Sequence, residues 1–143
     1  MVRRYFVLIG SSDNWKISLS HNLWGFTEKS KGLWNKTNSK DFLAFYVTLP
    51  VGKVIGFGHV GKKFISDDII WNDEKLFKKS IWKYKFEIIP SYVCENFEDG
   101  VELPYMVLGT SRKSIDEETF AGLVKKADSE FSTNLFTEFF SIK

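Results

Sequence analysis

The side chains that could ligate a soft metal or act as a thiol nucleophile are His21, His59 and Cys94. A metal site needs several His, Cys or carboxylate ligands at fixed spacings, and no C-x-x-C or H-x-x-x-H pairing occurs. Asp67 and Asp68 are adjacent, so on a strand their carboxylates point to opposite faces and cannot share an ion. Cys94 with His59 as its base is the one conceivable nucleophile pair, but a lone Cys is far more often an inert buried residue. There is no P-loop, Gly-rich dinucleotide fingerprint or G-x-S-x-G elbow. The inventory points away from an enzyme and implies neither cofactor nor metal.

What remains is aromatic. The chain carries 14 Phe, 5 Trp and 5 Tyr in 143 residues. Phe belongs in cores, whereas Trp has an N–H to satisfy and is favoured at binding surfaces. Trp24, Phe26 and Trp34 fall in a stretch, residues 24–40, rich in Gly, Ser, Thr, Asn and Lys that reads as a polar loop with little core of its own. Trp71 lies beside another loop. Aromatic faces converging on one point form a slot in which a flat base stacks, worth about 1–3 kcal/mol per base. A methyl group on the base adds apolar surface for such a slot to remove from water. The competing reading has these Trp plugging the ends of the fold, and the residues alone leave both open.

The elements that must position them follow from periodicity. Arg4–Ile9 is aromatic and β-branched and stops at Gly10, a strand. Ser11-Ser12-Asp13 caps a short helix to about His21, with Trp15, Leu19 and Leu23 at helical spacing. Asp41–Thr48 and Val54–Val60 form a hairpin around Pro50-Val51-Gly52-Lys53, and Gly56 and Gly58 signal a bend or a close backbone approach. Ile81–Ile89 alternates apolar and charged residues, a half-buried strand. Val101–Leu108 reads as a further strand. Ser114–Glu118 opens a helix carrying Phe120, Leu123, Val124 and Ala127, and residues 131–142 form a last helix or an irregular cover. The expected fold class is α+β: five or six antiparallel strands curled into a small barrel flanked by helices, one domain over residues 1–143.

Charge adds direction. The net is only +2, so the chain is no bulk polycation. Residues 1–63 nevertheless hold ten Lys or Arg against three acids, a net of +7, and residues 64–143 a net of −5. Such asymmetry suits a basic face that meets phosphate. The single Cys suits a reducing compartment, and no apolar run reaches the roughly 18 residues of a membrane helix. A cytoplasmic location is expected.

Arg4-Tyr-Phe-Val-Leu-Ile-Gly-Ser-Ser-Asp-Asn-Trp through Asn22-Leu-Trp-Gly-Phe resembles the opening of YTH and EVE domains of the PUA-like superfamily. The resemblance continues through Phe42–Thr48 with Gly52–Gly58, a hairpin ending in Gly-Phe-Gly, then Trp71, Trp82–Ile88 and Glu98–Glu102, covering roughly residues 3–115. It implies a non-catalytic reader of a methylated base, held in an aromatic cage. By position Trp24 is the first wall and Trp71 the second, with Trp34 or Phe26 as candidates for the third. Asn14 would hydrogen-bond the adenine ring, and the Gly25 carbonyl would take the remaining N6–H. The family's polar residue fourteen positions before the first Trp is Gly10 here, a departure that weakens adenine against cytosine. Phosphate would be met by Lys29, Lys31, Lys36, Arg112 and Lys113. The implied ligand is N6-methyladenine flipped out of DNA, read by the specificity domain of a McrB-type modification-dependent restriction protein with a fused or partner GTPase motor and nuclease. N6-methyladenine in RNA, 5-methylcytosine, and an ASCH-like nucleoside or RNA hydrolase are the alternatives.

Overall fold

The computed structural model describes residues 3–103 and 112–140. One mixed sheet organises them: β1 (Tyr5–Gly10), β2 (Leu23–Phe26), β3 (Phe42–Val47), β4 (Lys53–Ile65), β5 (Tyr84–Val93) and β6 (Arg112–Ile115). Their spatial order is β2-β5-β4-β3-β1-β6. The helices are α1 (Ser12–His21), α2 (Lys31–Asn35), α3 (Asn72–Phe77), α4 (Glu117–Phe131) and α5 (Leu135–Phe140). The α+β class read from the sequence holds, with the sheet curled into a half-barrel.

One pairing departs from the expected antiparallel set. β1 and β3 run parallel, Tyr5 opposite Phe42 through Gly10 opposite Val47. A parallel pair needs a crossover of a dozen or more residues. Residues 11–41, with α1, β2 and α2, are that crossover, so the segment carrying Trp24 and Gly25 is inserted between two central strands. Of the expected strand at Val101–Leu108, Val101 makes an antiparallel bridge to Val54, and residues 104–108 lie outside the described residues.

Period-two alternation sends side chains to two cores. Val7 and Ile9 of β1, with Ala44 and Tyr46 of β3, face α4 and α5 and pack on Phe120, Leu123, Val124 and Phe139. Phe6, Leu8, Leu43, Phe45 and Val47 face the other way, onto Trp15 of α1, Trp24 and Phe26. α4 starts where Asp116 caps the Thr119 amide at 2.7 Å, as its Asp-Glu-Glu opening predicts. The glycine signal in β4 marks a close approach: a Cβ on Gly56 or Gly58 would run into the Tyr92 or Ile89 carbonyl of β5, beside a register shift at Phe57–Gly58. Among the described residues no helix is long and apolar enough to cross a membrane.

Candidate nucleic-acid interface

Four pieces of chain meet at one cleft: the end of β1, the inner face of α1, β2, and the segment from Ser66 to Trp82 that joins β4 to β5. Ser11 starts α1 by accepting the Asn14 amide at 3.1 Å. The i, i+4 spacing then sets Asn14 and Ser18 on one face, and both line the cleft. Ile9 and Gly10 close one side, Trp24 and Gly25 another, and Trp71 and Trp82 a third. The open space is about 340 Å³, solvent at the mouth included.

Each wall is held differently. Trp24 is 5% exposed and packs against Trp15, ring centroids 4.6 Å apart, while the Trp15 indole donates to the Tyr46 carbonyl at 2.8 Å. Trp71 is 4% exposed and donates to the Ser18 hydroxyl oxygen at 3.0 Å. Trp82, half-buried, donates to both oxygens of Asp73 at 3.1 Å. Trp71 and Trp82 meet edge to face at 6.5 Å. Behind them Glu74 is wholly buried. One of its oxygens accepts the amides of Ile70 and Trp71 at 2.9 and 3.2 Å; the other accepts those of Ile81 and Trp82 at 2.8 and 3.0 Å. One carboxylate thereby fastens the backbone of both walls. Burial alone would raise its pKa, but the four amide donors outweigh burial and hold it below the ordinary glutamate value.

Two glycines set the floor. A Cβ on Gly25 would come 2.7 Å from Trp82 Cβ and 3.1 Å from the Trp71 ring edge. A Cβ on Gly10 would come 2.9 Å from the Trp24 ring edge, so the space that a polar side chain would need there is filled by Trp24. Gly25→Ala is expected to push the two indoles apart, costing about 1–3 kcal/mol of stability and most of the affinity for any planar ligand of the cleft. Denaturant titration and a binding titration of this variant check both.

No family model matches the chain, and no curated protein matches it in sequence. Solved structures do. The chain is similar to the Pho92 YTH domain in complex with m6A, at TM-score 0.59 and 20% identity over 86% of this chain and 82% of that one. It is similar to the YTH domain of Zygosaccharomyces rouxii MRB1 in complex with N6-methyladenosine RNA, at 0.59 and 17% over 86% and 85%. The chain has a YTH-like fold. A mutant form of the ASCH protein from Zymomonas mobilis is also similar, at 0.57 and 14% over 86% and 96%, so the likeness extends to a second branch of the architecture.

On this YTH-like frame Trp24, Trp71, Asn14 and Gly25 come together at the cleft, and the other candidates do not. Phe26 is fully buried against Phe86, centroids 6.0 Å apart: it lies in the core because residues 23–26 are a strand rather than loop. Trp34 is on α2, packed on Tyr84 at 5.3 Å and donating to the Lys85 carbonyl at 2.8 Å. The third aromatic of the cleft is Trp82, which strand periodicity had absorbed as one apolar position among several. Ser18 and Glu74 were also missed; the signal for Glu74 was its place three residues after Trp71, where a carboxylate reaches back to a helix-start amide.

The basic residues divide as well. Lys29, Lys31 and Lys36 are exposed, and Lys31 joins Lys63 and Lys83 around the Trp34–Tyr84 pair, their ammonium nitrogens 5.4, 4.4 and 5.5 Å from ring centroids. Glu28 offsets this cluster at 3.6 Å from Lys83. Arg112 is largely buried, its guanidinium 3.8 Å above the Phe6 ring, on the strand at the opposite end of the sheet order from β2. Lys113 is exposed on β6, at the opposite end of the strand order from β2. Cys94 is buried, donates to the Asn96 carbonyl at 3.2 Å, and burial pushes its thiol up to about 11. Its amide bonds to Ile55, four residues along β4 from His59 or roughly 13 Å at strand rise, so the two form no nucleophile pair.

Proposed function

We propose that the chain is a non-catalytic reader of nucleic acid carrying a methylated base, with N6-methyladenine as the base. The observation that carries the reading is the cleft bounded by Trp24, Trp71 and Trp82, with Asn14 and Gly25 at its edge. Three indoles exclude water from a methyl group, and an amide side chain and a backbone carbonyl offer the hydrogen bonds that a purine edge requires. The YTH-like fold supports it, since the Pho92 and MRB1 domains it resembles are described with m6A and with N6-methyladenosine RNA. The polymer we favour is DNA, with the domain acting as the specificity module of a modification-dependent restriction protein whose GTPase and nuclease lie elsewhere. The cluster of Lys31, Lys63 and Lys83, with Lys29 and Lys36, would carry the phosphates.

Fluorescence polarisation at fixed salt tests this, with matched oligonucleotides bearing adenine, N6-methyladenine, cytosine or 5-methylcytosine as single-stranded DNA, duplex DNA and RNA. One methyl group in an apolar pocket discriminates by about 10–200-fold. That margin for N6-methyladenine, lost in Asn14→Ala and Trp82→Ala, is the expected result. Equal affinity for all four bases would end the reading, and a margin confined to RNA or to 5-methylcytosine would redirect it. The likeness to the ASCH fold supports a second reading, hydrolysis of a modified nucleoside or RNA; product release on long incubation with either would favour it.

A further inference from the structure

The surface that follows the second wall has its own chemistry. Lys75, Leu76, Phe77, Lys78 and Lys79 are five consecutive exposed residues. Leu76 is 75% and Phe77 62% exposed, although burying either side chain fully would gain about 1.5–3 kcal/mol. The acids of α3 do not neutralise the lysines: Asp73 is engaged by the Trp82 indole and the Glu74 amide, and Glu74 is buried under four amides. Lys78 closes α3 in the left-handed conformation, φ 55°, with its amide on the Glu74 carbonyl. The platform is therefore anchored by the same residue that fastens the cleft walls. Six residues at about 1.5 Å of rise set Phe77 on the order of 9 Å along the helix from Trp71.

We propose that Lys75–Lys79 is a second contact for nucleic acid: Phe77 and Leu76 pack on a base neighbouring the one in the cleft, and Lys75, Lys78 and Lys79 meet the phosphates beside it. The inference rests on the base-binding reading of the cleft and extends it to the flanking strand. An exposed apolar pair flanked in the chain by three exposed lysines suits a ligand that is flat and apolar on its faces and anionic at its edges. A protein surface apolar enough to cover Leu76 and Phe77 would desolvate the ammonium groups without pairing them. Asp67 and Asp68, both exposed, precede Trp71 in the chain, so phosphate is drawn to the segment after Trp71 rather than the one before it.

Two variants of exposed residues test the proposal with little risk to folding: Leu76→Ser with Phe77→Ser, and Lys75, Lys78 and Lys79 all changed to Gln. The probes are N6-methyladenosine alone, followed by Trp fluorescence, and a short single-stranded DNA with N6-methyladenine at its centre, followed by polarisation. Nucleoside affinity should be unchanged in both. Oligonucleotide affinity should fall roughly 5–150-fold in the Ser variant, as loss of one stacked base predicts. The Gln variant should lower the slope of log affinity against log salt by about 2, from three phosphate contacts at about 0.7 each. Wild-type oligonucleotide affinity in both variants overturns the proposal and leaves the cleft reading intact. Loss of a concentration-dependent self-association in the Ser variant, with oligonucleotide binding unchanged, also overturns it and makes the surface a protein contact. Wild-type protein that ignores the nucleoside, yet binds the oligonucleotide through Phe77, would sink the cleft reading and with it the claim that the base on Phe77 neighbours one held in the cleft.

Discussion

Trp24→Ala should destabilise the protein as strongly as it empties the cleft, with a loss of about 3–5 kcal/mol in stability. An exposed cage wall would cost far less, but Trp24 is not exposed: it is 5% accessible, packs on Trp15, and belongs to the same core as Phe45 and Phe86. Its ring contact adds about 0.5–1.5 kcal/mol beyond area. One effect opposes: the Trp24 indole N–H is buried with no partner among the described residues, a burden of about 1–3 kcal/mol that Ala would relieve. Trp24→Phe removes the same orphan N–H while keeping a ring, so it should retain far more stability than Ala. Urea midpoints of the two variants measure the difference, and a Trp24→Phe variant no more stable than Trp24→Ala would show that the ring is not packed as described. Because binding and folding fall together in Trp24→Ala, that variant cannot separate a cage from a plug. Trp82 can, since it is half-buried and tied through Asp73.

The contrast between Trp24 and Trp82 shows what the sequence could carry. Alternation in residues 4–9 and 41–48 and the cap at Ser11 specify β1, β3 and α1 locally, and each lies within a residue or two of its expected place, whereas the helix expected to open at Ser114 starts at Glu117 because Arg112–Ile115 pair with β1 as β6. The order of short motifs around Trp24, Gly25 and Trp71 pointed to a YTH-like frame. Three features depend on contacts distant in sequence and so left no local mark. The parallel β1–β3 pair is decided by how residues 11–41 pack, not by either strand. Residues 23–26 look like loop because β2 is only four residues long, and it becomes a strand by pairing with β5. Arg112 reads as a surface cation, yet the position where it pairs with Leu8 turns its guanidinium over Phe6. Trp82 hid for the opposite reason: its alternation with Lys83 and Tyr84 fits a strand, but β5 begins only at Tyr84.

Glu74 is where one substitution should alter stability, the cleft and its pH response together. Glu74→Gln keeps the size of the side chain but leaves one oxygen to accept where two had served, and turns an NH2 donor toward backbone amides. Two buried N–H groups lose their partner, with an expected cost of about 3–5 kcal/mol and a matching loss of order at Trp71 and Trp82. Lys85 shares in this. Its buried ammonium donates to the Ser66 carbonyl at 2.7 Å, and burial lowers its pKa while the charges of Glu74, Asp68 and Asp67 raise it. The segment from Ser66 to Trp82 is thus held to the sheet by two buried charges of opposite sign. Since the Glu74 pKa is lowered in the folded protein, its contribution is complete above the unfolded glutamate pKa of about 4.3. It drains away as pH falls from there through the folded value. The stability gap between wild type and Glu74→Gln should therefore be constant near neutral pH and shrink on acidification below about 4.3. Urea denaturation of both proteins across that range measures it. A gap that stays fixed into strong acid would mean that Glu74 is not an ionised acceptor of the four amides, and that the walls of the cleft are held by packing alone.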